Sequence, residues 1–212
     1  MKLKIALSFI IFSSFYATSQ NFFIVKNNNL YGVVNNKGIE IAVPKYNSIE
    51  PYNAVRKGWA KVNLKNKVGF IDKLGNEVVE AVYDSIGNFG MFQKKWALIK
   101  ENNQLGFIDN KGQKVINTKF DKVYDFDLYK KGWALVKIKD KFGFINKKGN
   151  TIVKIKYTEI DAFDTYKKGW AKVCVNKVKY GFIDTSGKEI IPAIYDNIDA
   201  FFKTKETEEI EE

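Results

Sequence analysis

The sequence predicts an all-β protein made of tandem β-hairpin repeats that stack as an open, solenoid-like antiparallel array. Two observations support this prediction: one phrase recurs every 37 residues, and within each copy the apolar residues alternate with a period of two. A period of two is typical of strands, whose successive side chains point to opposite faces. No stretch after the first twenty residues shows the periodicity of an amphipathic helix.

The repeat unit is defined by four series of residues that share one spacing. The four tryptophans are 37 residues apart, and two glycine series and one aromatic series keep this spacing, with one extra residue before their last members. Counting back from Trp59 reaches Phe22, so five units begin near residues 22, 59, 96, 133 and 170. The series are Trp59, Trp96, Trp133 and Trp170; Gly32, Gly69, Gly106, Gly143 and Gly181; Gly38, Gly75, Gly112, Gly149 and Gly187; and Tyr46, Tyr83, Phe120, Tyr157 and Tyr195.

Each unit begins with a strand. In the second unit, WAKVNL puts Ala60, Val62 and Leu64 on one face and Trp59 with Lys61 on the other. An Asn/Asp/Lys turn leads to the strand GFID, and Asp or Asn three residues before Gly then predicts a type I turn with a left-handed Gly bulge. A short apolar strand such as EVVEAVY and a last one around YDSIGNF follow, which gives three or four antiparallel strands per unit.

A hairpin unit with one apolar face is not stable alone, so the units must stack on one another. Two arrangements allow this: the open array, or a five-bladed, propeller-like ring in which the FFIV strand completes the last blade. A unit of 37 residues is short beside the about 40–45 residues of propeller repeats. We therefore favour the open array.

The first residues, MKLKIALSFIIFSSFYATSQN, are typical of a secretory signal peptide. Lys2 and Lys4 precede an apolar run of 11 residues from Ile5 to Phe15, and small residues follow. The run is too short to cross a bilayer, which takes about 20 residues. We expect residues 1–19 to be removed, and the mature chain to be periplasmic or extracellular with no transmembrane span.

The mature chain is strongly basic. Loss of the two signal lysines lowers the formal net charge from +11 to +9, and the last ten residues, 203–212, form an acidic tail. Residues 20–202 hold the five repeats. Cys174 is the only cysteine, which excludes an intrachain disulfide, and its equivalents Asn63, Lys100 and Lys137 favour tolerated substitution over thiol chemistry.

The segment YGFIDTSGKEIIPAIYD, residues 180–196, resembles the WG repeat, also called the KWG repeat, of bacterial proteins. The resemblance covers all five units. It implies a β-rich exported repeat protein and no common enzymatic activity. The tryptophan of the WG dipeptide is replaced here by other apolar residues, and tryptophan stands on a different strand, so its role does not follow from the resemblance.

Little in the sequence indicates catalysis. The chain has no histidine and one cysteine, which excludes Ser-His and Cys-His catalysis and thiolate metal sites. Carboxylates recur in equivalent positions, where turn capping explains them. We therefore predict no enzyme, no cofactor and no metal site. These carboxylates are Asp72, Asp109 and Asp184 of the FID phrase and Asp84, Asp121 and Asp196 of the YD phrase.

The residues before each tryptophan are the candidate binding site. Basic residues repeat there in four units, and regular stacking would align them along one edge, where they would attract a polyanion. A solvated surface that keeps β-strand edges unpaired is the alternative interpretation. The candidate basic residues are Arg56, Lys57, Lys94, Lys95, Lys130, Lys131, Lys167 and Lys168. The candidate structural aromatics, predicted to pack neighbouring units together, are Phe22, Trp59, Trp96, Trp133 and Trp170.

The leading functional hypothesis is a non-catalytic exported scaffold that binds a protein or an anionic envelope polymer. Export argues against nucleic acid as the partner. A lectin-like protein that stacks sugars on its tryptophans is the alternative. A glycosidase working with carboxylates alone is disfavoured, because it needs a pair of Asp or Glu side chains that breaks the repeat, and none is evident.

Overall fold

The structure, a computed structural model, describes residues 22–198. Within this range the chain forms nineteen β-strands in five small antiparallel sheets and no helix, so the predicted all-β repeat fold is confirmed. Helices able to cross a bilayer are accordingly not found among these residues. The predicted signal peptide, 1–19, lies outside the described residues, as does the acidic tail, 203–212.

The first sheet has three strands, β1 Phe22–Asn27, β2 Leu30–Asn35 and β3 Glu40–Tyr46. The second sheet has four, β4 Ser48–Ile49, β5 Trp59–Leu64, β6 Lys67–Asp72 and β7 Glu77–Tyr83. The third contains β8 Ser85–Ile86, β9 Ala97–Glu101, β10 Gln104–Ile108 and β11 Lys114–Phe120. The fourth contains β12 Lys122–Val123, β13 Trp133–Ile138, β14 Lys141–Asn146 and β15 Thr151–Tyr157. The fifth contains β16 Glu159–Ile160, β17 Trp170–Val175, β18 Lys179–Asp184 and β19 Glu189–Tyr195.

The two-residue strands connect consecutive sheets. Each directly follows the last long strand of one sheet but pairs with the first long strand of the next, as Ser48 does with Asn63 and Ile49 with Val62. The strand predicted around YDSIGNF therefore exists, but it is only two residues long and belongs to the following sheet.

The turns have the conformations that their residues predict. The β5–β6 hairpin turns through Lys65 and Asn66, which both have positive φ, at 50° and 64°, as a two-residue hairpin turn requires. After β6, the Gly75 N–H donates to the Asp72 carbonyl at 3.0 Å, with Gly75 at φ 85°. The Asp72 side chain accepts from the N–H groups of Leu74 and Asn76. These contacts match the predicted type I turn with a Gly bulge.

Within residues 22–198 the hydrophobic core is divided into four clusters, one between each pair of consecutive sheets. Ala60 and Val62 of β5 face the first sheet, whereas Phe70 and Val79 face the third. An inner sheet is thus covered on both faces. This differs from the single buried face expected for each strand, because stacking places a neighbour on either side.

The second glycine series lies at the contacts between sheets. A Cβ atom on Gly75 would lie 1.9 Å from the Ile41 carbonyl oxygen of the preceding sheet, so only glycine fits there. Gly112, Gly149 and Gly187 have similar contacts with the sheet before them, all within 2.8 Å. These turns therefore dock each sheet on its predecessor.

The array is open. Among residues 22–198, β1 pairs only with β2, so the FFIV strand does not complete the last sheet and the propeller-like ring is not formed.

Candidate binding edge

In the described part of the chain, four equivalent loops lie at one edge of the array, each between a two-residue strand and the following long strand. We call residues 50–58, 87–95, 124–132 and 161–169 the loop edge. It lies beside the turns that follow the GFID strands, because Trp59 is the register partner of Asp72 and Tyr52 Oη donates to the Asp72 carbonyl at 2.9 Å.

The loops are held by short local hydrogen bonds. The Asn53 side chain accepts from the Gly58 N–H at 2.7 Å, and Asp164 accepts from Gly169 at 2.5 Å. Asp127 and Gly132 make the same bond. In loop 87–95 the position of Asn53 is occupied by Gly90, which has no side chain to accept this hydrogen bond. There Lys95 replaces the glycine that donates in the other loops, so the lysines of this loop are shifted by one residue.

The candidate aromatics lie where neighbouring units meet. The Trp59 ring is 5.5 Å from Phe70 of its own sheet and 6.0 Å, edge to face, from Phe89 of the next loop. Trp96 and Trp133 make the equivalent pairs of contacts, and Phe22 lies 4.7 Å from Tyr52. Trp96 is only 8% exposed, and the other three tryptophans are half-buried.

These contacts show that consecutive loops adjoin. Arg56 of the first loop lies over Phe89 of the second, with its Cζ 5.3 Å from the ring centroid. Lys130 of the third loop lies over Phe163 of the fourth at 5.7 Å. The loop edge is therefore one continuous surface across four sheets.

The eight candidate basic residues fall into two groups. Three of them, at the position three residues before tryptophan, cover aromatic rings: Arg56 Cζ is 4.7 Å from Trp59, Lys167 Nζ is 4.2 Å from Trp170, and Lys130 covers Phe163. The other five are exposed and take part in no salt bridge among residues 22–198. They are Lys57, Lys94, Lys95, Lys131 and Lys168. The eight residues do not all occupy equivalent positions in their units, because Lys95 stands where the other three loops have glycine.

Carboxylates reduce the positive charge at one end of the loop edge. Asp127 forms a 2.6 Å salt bridge with Lys147, which lowers the pKa of the carboxyl below its ordinary value. Asp161 accepts from the Tyr166 hydroxyl at 3.1 Å. Loop 87–95 contains no acidic residue and two lysines. Positive charge is therefore concentrated around loops 50–58 and 87–95.

The repeated carboxylates all have structural contacts. Asp109 and Asp184 accept turn N–H groups as Asp72 does. Asp84 and Asp196 pair with lysines of their own sheets, Lys67 at 2.5 Å and Lys179 at 2.6 Å. Asp121 accepts from the Lys139 N–H of the next sheet. In the part of the chain that is described, no three His, Cys, Asp or Glu side chains cluster as metal ligands would.

Exposed apolar side chains also lie at this edge, and they were not predicted from the sequence. Met91 is 72% exposed and Leu128 63% exposed, at equivalent positions in adjoining loops, and Leu74 on a neighbouring turn is 76% exposed. Their equivalents in the other units are Ala, Thr, Lys or Ser. A break from the repeat consensus at a loop position was the signal that could have identified them.

The repeat sequence matches a known family model. The model described as WG containing repeat matches residues 31–67, 69–104, 106–142, 142–178 and 180–203. No curated protein is significantly similar to this chain in sequence.

Several solved structures are similar over most of the chain, but at low identity. Hsv2 of Kluyveromyces lactis is 10% identical, with 81% of this chain and 59% of Hsv2 covered and a TM-score of 0.30. PorZ of Porphyromonas gingivalis, a surface component of the type-IX secretion system, is 10% identical, with coverages of 85% and 26% and a TM-score of 0.31. BamB of Moraxella catarrhalis is 12% identical, with coverages of 80% and 60% and a TM-score of 0.28. The chain thus spans less than two thirds of each of these proteins.

Proposed function

This chain belongs to the WG containing repeat family, and we propose that it is a non-catalytic, exported scaffold that binds an acidic macromolecular partner along its loop edge. The observation that carries the proposal is the set of five exposed lysines on adjoining loops that form no salt bridge with any residue of 22–198. Like charges held close on a rigid framework repel one another and gain from a polyanion.

The rest of the edge supports a binding role. The packed tryptophans, one buried and three half-buried, and the loop hydrogen bonds hold the lysines on short loops, which lowers the entropy lost on binding. Met91 and Leu128 add exposed apolar area among the lysines. The structural contacts of the repeated carboxylates leave them no evident catalytic task, which supports the non-catalytic part of the proposal.

The test compares two edges of the same molecule. One variant carries Lys57→Asn, Lys94→Asn and Lys131→Asn on the loop edge. The matched control carries Lys65→Asn, Lys139→Asn and Lys177→Asn at the opposite ends of the hairpins, where asparagine tolerates the positive φ. Both variants lose the same charge.

The readout is binding to immobilised polygalacturonate, with neutral dextran as the uncharged comparison. We expect the wild type to bind the acidic polymer at low salt and to release it at about 1 M salt, where the Debye length is about 3 Å. The loop-edge variant should bind at least about tenfold more weakly, and the control should bind like the wild type. Absence of salt-sensitive binding, or equal losses in both variants, would contradict the proposal.

A carbohydrate-binding function is the second candidate, favoured by one cavity. A cleft of about 290 Å³ between the fourth and fifth sheets is lined by Tyr124, Tyr129 and Phe142 together with the carboxylates of Glu159 and Asp161. Aromatic faces beside carboxylates suit the apolar and hydroxyl surfaces of a sugar. Binding of neutral sugars that Tyr129→Ala abolishes would favour this candidate over the basic surface.

A further inference from the structure

The last sheet presents a face built like the inner ones but uncovered by any described residue. Tyr195 is 49% exposed, whereas its equivalents Tyr46, Tyr83, Phe120 and Tyr157 are at most 5% exposed. Ile190, Ile191, Pro192 and Ile198 line an open cavity of about 400 Å³ beside Tyr195. In the inner sheets, this face is covered by the next sheet.

The first sheet presents the complementary face, also uncovered within residues 22–198. Phe23 is 48% exposed, and Val25 and Val34 are only half-buried. Their equivalents in the second sheet, Ala60, Val62 and Ile71, are at most 2% exposed, because they pack against the first sheet. Repeat proteins normally carry polar residues on their terminal faces to remain soluble, so two apolar ends call for a cover.

The polar docking groups are also present at both ends. Gly38 has φ 75° like the other turn glycines, yet a Cβ on it would meet nothing within 4 Å. Glu40 is exposed and stands at the position of Glu77 and Glu189, which accept hydrogen bonds from Tyr46 and Tyr157 of the preceding sheet. Tyr195 is the tyrosine equivalent to those two donors.

Strand pairing also distinguishes the first sheet from the others. The first sheet has three strands where the others have four, and β1 has no partner for its outer edge among the described residues. Ile198 follows β19 at the position of Ile49, which pairs with the edge of β5 through the two-residue strand β4. Ile198 therefore stands at the repeat position of a two-residue strand, the element that the first sheet does not have among the described residues.

We infer that the last sheet of one copy of this chain docks on the first sheet of a second copy, head to tail, in the register of the internal junctions. Tyr195 of one copy would then donate to Glu40 of the other, and Gly38 would lie against the backbone at Ile190. Such a contact uses different surfaces on the two copies, so it can add further copies in an open chain.

One position in this junction differs in size from the internal ones. Phe23 stands where the inner sheets carry alanine. Ile191 lines the open cavity on the last sheet, and its equivalent Val79 shares a core cluster with Ala97, the equivalent of Phe23. The cavity provides the volume that the larger ring needs.

The test is sedimentation velocity of the purified mature chain, residues 20–212, over a wide range of concentration. We expect the wild type to associate as concentration rises. Tyr195→Glu places a carboxylate opposite Glu40, and should weaken association by about tenfold or more. Glu40→Lys alone should associate normally, because the second-to-third junction already places Lys114 beside Tyr83, with Nζ 5.4 Å from the ring centroid.

The double variant Tyr195→Glu with Glu40→Lys is the decisive one, since a new ion pair should restore the association that Tyr195→Glu removes. Val82→Glu adds the same charge at an exposed apolar residue of the second sheet, where three other units carry lysine, and should leave association unchanged. A wild-type monomer at every concentration would overturn the inference, including one in which Tyr195 is shielded by the chain's own segment after residue 198. A loss in Tyr195→Glu that the double variant does not recover would also overturn it.

Discussion

The Tyr46 hydroxyl donates a 3.0 Å hydrogen bond to Glu77 Oε1, and so joins the first sheet to the second across an apolar junction. Tyr157 and Glu189 repeat this bond at 2.7 Å between the fourth and fifth sheets. At the third-to-fourth junction Phe120 has no hydroxyl, and the position of the glutamate is occupied by Thr151. At this junction both partners of the hydrogen bond, the tyrosine and the glutamate, are thus replaced together.

Glu77 should make stability depend on acid. Its pKa is lowered chiefly by the hydrogen bond from Lys45. Burial raises the pKa, and the hydrogen bond from Tyr46 lowers it again. A carboxyl with a lowered folded-state pKa stabilises the fold above its unfolded pKa, and this contribution is lost as pH falls through the folded value. We expect Glu77→Gln to lower the free energy of unfolding at pH 7. Below about pH 4.5 the free energy of unfolding should fall less steeply with pH in this variant than in the wild type, as measured by urea denaturation. An unchanged acid limb would contradict this assignment.

Gly75→Ala should destabilise the fold much more than Gly38→Ala. Both glycines have positive φ, which costs alanine roughly 1–2 kcal/mol, but only Gly75 lies against the preceding sheet. Chemical denaturation at low protein concentration should show a loss of about that size for Gly38→Ala and a clearly larger loss for Gly75→Ala. Equal losses would mean that the contact with Ile41 is not rigid.

Trp96 should behave as a packing residue. Trp96→Ala should cost about 3–5 kcal/mol of unfolding free energy, as expected for a large buried side chain. Trp59→Phe should cost much less, because Phe22 fills the equivalent position in the first unit. Acrylamide quenching of a variant that keeps only Trp96 should be weak. Strong quenching would indicate an exposed ring and support sugar stacking.

Asp72 should tolerate replacement by asparagine. Asn35 and Asn146 occupy the same turn position and accept the same N–H groups. We expect Asp72→Asn to stay within about 0.5 kcal/mol of the wild type and Asp72→Ala to lose about 1 kcal/mol, the usual value of one capping side chain. Thermal denaturation of the pair distinguishes a turn cap from a carboxylate whose charge is needed.

Much of the fold could be predicted from the sequence, because the repeat spacing and the turn residues are local signals. Gly75 and Asp72 define their turn within four residues. The pairing of Ser85 and Ile86 with the following sheet could not be predicted, because a two-residue strand has no periodicity and its partner is set by tertiary contacts. Trp59, by contrast, was predicted to pack between units, and its face of β5 is covered by the third sheet.

The candidate site was predicted only in outline. The repeated lysines could be found by their spacing. Arg56 and Lys167 each cover the tryptophan three residues further on, which is a local contact. The contact of Lys130 with Phe163, 33 positions further along the chain, could not be predicted, because it depends on the path of the next loop. Distances of this kind are not encoded in a local pattern.

The strand that each unit passes to its successor has a consequence for the length of the molecule. Because each of the second to fifth sheets takes its first strand from the chain just after the preceding sheet, no boundary separates one module from the next. Excising residues 85–121, one period, should rejoin equivalent positions and leave a folded protein one sheet shorter, whereas excising about half a period, residues 85–103, should not fold. Circular dichroism and denaturation of both deletions would show this. The array can thus change its length in steps of one repeat, and only the side chains at the new junction, here Tyr83 and Thr151, meet a different partner.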